Sequence, residues 1–75
     1  MIEKELNKEI QKLLIEASNF HKNGQLEELE KVLRKIILID PNYYPAFFNL
    51  AKLCEMSKKF EEAIKFYKKT LEINP

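Results

Sequence analysis

A single cysteine, a single glycine, a single histidine and no tryptophan leave this chain of 75 residues few chemical options. With Cys54 alone no internal disulfide forms, and Cys54 together with His21 falls short of any metal-ligand set. No glycine-rich loop is present to cradle a phosphate, and no alternation of apolar and polar residues marks a strand. No apolar run approaches the roughly 20 residues that a membrane-spanning helix needs. The opening Met1-Ile2-Glu3-Lys4-Glu5 is charged and lacks the apolar stretch of a signal peptide. Charge of one sign is missing too: 13 basic groups against 12 acidic give +1, with nothing to draw the chain to nucleic acid or an anionic membrane. A lone thiol suits a reducing compartment, so the expected location is the cytoplasm.

What remains is 45% apolar and 33% charged, the balance of a folded soluble protein. The length allows one domain, residues 1–75, with a modest core and a thin margin of stability.

The chain also repeats itself. Setting residues 8–41 over residues 42–75, a period of 34 with no gap, gives seven identities. They are Ala17/Ala51, Glu27/Glu61, Glu28/Glu62, Lys31/Lys65, Lys35/Lys69, Ile39/Ile73 and Pro41/Pro75. Conservative pairs fill much of the rest, among them Leu13/Phe47, Leu14/Phe48, Leu26/Phe60, Val32/Phe66 and Ile37/Leu71. The shared apolar pattern, closed by proline both times, carries the argument more than the identities do.

Each unit reads as two helices. Leu6, Ile10, Leu13, Ala17 and Phe20 recur at three- and four-residue spacing, one face of a helix. Asn23-Gly24 ends it, because glycine readily takes the left-handed conformation found there. Leu26, Leu29, Val32, Leu33, Ile36 and Ile39 form the next stripe, with Glu27–Lys31 and Glu30–Arg34 as outer i,i+4 pairs. Asp40-Pro41-Asn42 closes the unit, since the residue before a proline is pushed out of the helical region. The second unit opens with Pro45 in a first turn and runs through Phe47, Leu50, Ala51 and Cys54. It turns at Ser57-Lys58-Lys59 and resumes at Phe60, Ala63, Ile64, Tyr67 and Leu71. The spacing predicts helices near residues 4–22, 26–39, 44–57 and 60–73, and an all-α fold.

From Ala46 to Pro75 the second unit resembles a tetratricopeptide repeat: Phe47, Leu50, Ala51, Ala63, Tyr67 and Pro75 stand at that family's signature positions. The first unit fits through Ala17, Phe20, Gly24 and Pro41, but carries Glu16 in place of Leu and Leu29 in place of a small residue. Such departures suit a terminal repeat, one side of which meets solvent or a different neighbour. The resemblance implies two helix-turn-helix hairpins, residues 8–41 and 42–75, stacked as a short right-handed superhelical solenoid. Residues 1–7 then lengthen the first helix. It also implies a protein-interaction module, part of a larger repeat scaffold, binding a partner segment in an apolar concave groove.

On the groove side the candidates are Leu14, Ile15, Ser18 and His21 from the first repeat, and Phe48, Asn49, Lys52 and Met56 from the second. Family members that grip a chaperone's C-terminal carboxylate need Lys and Asn where Leu14 and Ser18 stand; only Asn49 matches, so that activity is not expected. An apolar groove favours an apolar protein or peptide segment over an acidic tail. The alternative is self-assembly into a homo-oligomer through an edge formed by Ile64, Leu71 and Ile73. Catalysis is not expected: Cys54 sits on a core stripe, His21 has no nucleophile beside it, and neither a cofactor site nor a metal site is indicated. The Lys58-Lys59 and Lys68-Lys69 pairs, mixed with glutamates, read as solvated faces, and Glu27-Glu28-Glu30 as first-turn charge favouring the helix dipole.

Overall fold

The computed structural model describes residues 2–75, and those residues form four helices with no strand among them. They are α1 (Ile2–Lys22), α2 (Leu26–Ile39), α3 (Tyr44–Met56) and α4 (Phe60–Ile73). The backbones approach closely only between neighbours in sequence: α1 with α2, α2 with α3, α3 with α4. That is the contact pattern of a repeat stack, in which each layer is held by the next. The result is a slab of 40 × 30 × 16 Å.

The sequence period reappears in the backbone. After α1, the Gln25 amide donates to the Phe20 carbonyl at 2.9 Å and the Gly24 amide to His21 at 3.1 Å. After α3, the Lys59 amide donates to the Cys54 carbonyl at 2.8 Å and the Lys58 amide to Glu55 at 3.0 Å. These are paired Schellman closures, satisfying carbonyls that a helix end otherwise leaves free. The second helices also end alike, Asp40 donating to Ile36 at 2.8 Å and Asn74 to Thr70 at 2.9 Å. Between the hairpins, the Asp40 carboxylate accepts the Asn42 amide at 3.0 Å, an Asx turn carrying the chain past Pro41.

The main core lies between the hairpins. Ile10, Leu13 and Ala17 of α1 meet Leu29, Val32, Leu33 and Ile36 of α2, which in turn hold Ala46, Leu50 and Leu53 of α3. Ile36 and Leu50 are wholly buried. On its other side α3 turns Phe47, Ala51 and Cys54 inward, and α4 meets it with Ala63, its one buried residue. Phe47 and Phe66 pack with ring centres 6.2 Å apart, and Phe48 meets Tyr67 edge-on at 5.8 Å.

Five expectations need correction. Leu6 is 41% exposed, because α1 is 21 residues long and α2 only 14, leaving the first turns of α1 with no facing helix. Phe20 packs against the core half-buried, Tyr67 is half-buried, and Phe60 at the start of α4 is exposed. Of the two outer ion pairs, Glu30–Arg34 closes at 3.0 Å while Glu27–Lys31 is not within bonding distance. Arg34 also reaches over the Phe66 ring at 5.7 Å, tying α2 to α4 by a cation–π contact.

Candidate partner-binding cleft

Both α1 and α3 pack on α2, yet no Cα of one comes within 8 Å of a Cα of the other. The gap is a cleft of about 330 Å³. Leu26, Leu29 and Leu33 of α2 form its floor. Its α1 wall is Leu14, Ala17, Ser18 and His21, and its α3 wall is Asn49, Lys52, Leu53 and Met56. Each wall uses the spacing i, i+3, i+4, i+7, the exposed edge of one helix face. The floor is apolar, whereas Ser18, His21, Asn49 and Lys52 stand exposed at the rim. No carboxylate lines the cleft, and Lys52 is its one permanent charge.

Six of the eight groove candidates meet here: Leu14, Ser18, His21, Asn49, Lys52 and Met56. Ile15 and Phe48 do not. Ile15 is 65% exposed, one residue round the helix from the cleft wall. Phe48 leans on Tyr67 of α4, and the Lys52 ammonium sits 5.1 Å from its ring centre. The reason is geometric. Repeat symmetry pairs Leu14 with Phe48 and Asn49 with Ile15, but the cleft lies between α1 and α3 rather than along equivalent faces of both. The α3 wall is therefore shifted one position from the repeat register, about 100° round the helix.

Leu26, Leu29, Leu33, Ala17 and Leu53 also line the cleft, and sequence reasoning missed them because apolar stripe residues read as sealed core. On the candidate edge, Ile64 and Leu71 are exposed, but Ile73 is half-buried. At about 100° per residue Ile73 also falls on a different flank of α4 from the other two.

Beside the cleft, Lys52, Glu55, Met56 and Tyr67 form a shallow shelf. The Tyr67 hydroxyl donates to the Glu55 carboxylate at 2.6 Å, and this bond holds the phenol above its usual range. Cys54 lies on the other side of α3, its sulfur 4.0 Å from a Glu62 carboxylate oxygen. Burial first, then the Glu62 and Glu30 carboxylates, push this thiol up, so little of it is the nucleophilic thiolate. No group of three or more His, Cys, Asp or Glu among the described residues is placed to hold a metal ion. No helix among them is long and apolar enough to cross a membrane.

Comparison with known proteins bears on the second hairpin. The family model described as tetratricopeptide repeat matches residues 44–75, the span of α3 and α4 through Pro75. No curated protein and no solved structure matches the chain significantly. Tetratricopeptide repeats generally mediate protein–protein interaction and are typically non-catalytic. Residues 44–75 thus match the tetratricopeptide repeat, and the four helices, with turns and helix ends that follow the same hydrogen bonds in both hairpins, are consistent with two such units.

Proposed function

We propose that this chain is a protein-interaction module that seats an apolar side chain of a partner segment in the cleft between α1 and α3, within a larger repeat scaffold. One observation carries the reading: an open, leucine-floored cleft of about 330 Å³ rimmed by hydrogen-bonding side chains. Apolar lining with a few polar groups to orient the ligand is the usual make-up of a recognition site. Seating one leucine- or phenylalanine-sized anchor there gains roughly 1.5–3 kcal/mol, while Ser18, Asn49 and Lys52 are free to pair with the partner's backbone or an acidic group. A net charge of +1 gives no electrostatic case for nucleic acid. The buried free thiol of Cys54 favours a reducing compartment, and the cytoplasm is the location we propose.

The test is selection of peptides from a displayed random library, then calorimetric titration of an enriched peptide into the wild type and Ser18→Trp. Ser18 is exposed, so the indole fills the cleft without entering the core. Binding should weaken at least about tenfold in the variant. A library that yields no peptide, or a peptide indifferent to Ser18→Trp, removes the cleft as the binding site.

Self-assembly is a second reading, and a different observation favours it. On α4, Phe60, Ile64 and Leu71 are 56%, 52% and 60% exposed, an apolar row with no cover from the chain itself.

A further inference from the structure

Phe60, Ile64 and Leu71 fall within about 40° of one another round α4, at about 100° per residue. Their counterparts one repeat earlier, Leu26, Glu30 and Ile37, lie on the α2 surface over which α3 is laid; Leu26 lines the cleft opposite α3, and Ile37 packs on the core. The α4 row is therefore the face on which a further helix fits. A second copy cannot cover it by continuing the stack head to tail. The residues with which α3 grips α2 are Ala46, Leu50 and Leu53, all buried. At the same positions α1 carries Lys12, Glu16 and Asn19, polar side chains that would have to be desolvated against α4 of another copy. Among the described residues, α1 presents polar side chains at these positions and α4 presents an apolar row.

Resting on the self-assembly reading, we propose that the open face takes a second copy of itself, α4 against α4 in antiparallel fashion about a two-fold axis. Such pairing sets Phe60 of each copy near Leu71 of the other, with both Ile64 side chains close to the axis. It makes the patch its own complement, as a closed dimer requires. The charges agree. Glu61 and Lys68, both exposed, lie on the same flank of the row near its opposite ends. An antiparallel pair brings Glu61 of one copy beside Lys68 of the other, twice.

Sedimentation equilibrium over about a hundredfold range of concentration tests this, with circular dichroism confirming that each variant keeps its helices. The wild-type mass should rise from one chain to two and stop. Leu71→Lys should lower association by about a hundredfold or more, since two leucines lose their cover in each dimer. Glu61→Lys alone should weaken the dimer about tenfold, and adding Lys68→Glu should restore it, because the reversal acts across the interface. A constant mass of one chain overturns both this proposal and the self-assembly reading. A dimer that survives Leu71→Lys, or that the double reversal fails to restore, or a mass that climbs past two, overturns the α4 pairing and leaves self-assembly standing.

Discussion

Lys58 holds the backbone at φ 62°, the conformation that Gly24 holds at φ 69° one repeat earlier. Both residues occupy the left-handed position that closes a helix, and only one of them suits it. A side chain there costs roughly 1–2 kcal/mol, while glycine costs about 0.5–1 kcal/mol in extra freedom of the unfolded chain. Lys58→Gly should therefore stabilise the fold by about 0.5–1 kcal/mol. Gly24→Ala should destabilise it by about 1 kcal/mol through the backbone alone, since a Cβ at Gly24 meets nothing within 4 Å. Urea unfolding of both variants checks the signs; a loss of stability in Lys58→Gly would contradict the closure.

Ala63 is the buried residue of α4, 2% exposed, in the helix that packs on α3. A larger side chain there has to push the helix axes apart. Ala63→Leu should cost about 1–3 kcal/mol, a fall in melting temperature of at least about 4–8 °C for a domain of this size. Lys65→Ala, on the solvent side of the same helix, should change stability by less than about 0.5 kcal/mol. Equal shifts in thermal melts of the two would place the crossing elsewhere.

Tyr67 links α4 to α3 through its bond to Glu55, and its proton is held more tightly in the folded chain than in the unfolded one. The sign follows from linkage: a raised folded-state pKa gives stability that is whole below the ordinary phenol value of 10.0 and is lost as pH rises through the folded value. Between pH 9 and pH 11 (about one unit either side of that value), wild type should lose more stability than Tyr67→Phe, which has no proton to give up. Parallel pH profiles of the two would show that the bond does not form in solution.

Most of the fold was legible because one rule, the 3.6-residue period, governs each helix and is written twice. Gly24 and the prolines placed the breaks, and the helix ends follow them to within two residues, apart from the overhang of α1. The departures in the first repeat were legible as well: Glu16 stands, half-buried, at the position where Leu50 is wholly buried. The cleft was harder. Spacing tells which residues share a face of one helix, but not how far apart two helices stand, and it is the separation of α1 from α3 that opens the leucine floor. Ile15 and Phe48 fall outside the cleft for that reason, since they follow from repeat symmetry and the cleft does not. Tyr67's partner was hidden for a related one, since Glu55 lies twelve residues away on another helix.

The most direct test of the account is amide chemical-shift mapping of the ¹⁵N-labelled chain as a library-selected peptide is added. The chain should be held at a concentration where it is a single species. The cleft predicts that the largest shifts fall on Ala17, Ser18 and His21 of α1 and on Asn49, Lys52 and Leu53 of α3, with Phe60, Ile64 and Leu71 unmoved. Shifts confined to the outer face of α4, or spread evenly over all four helices, would contradict a binding site between α1 and α3.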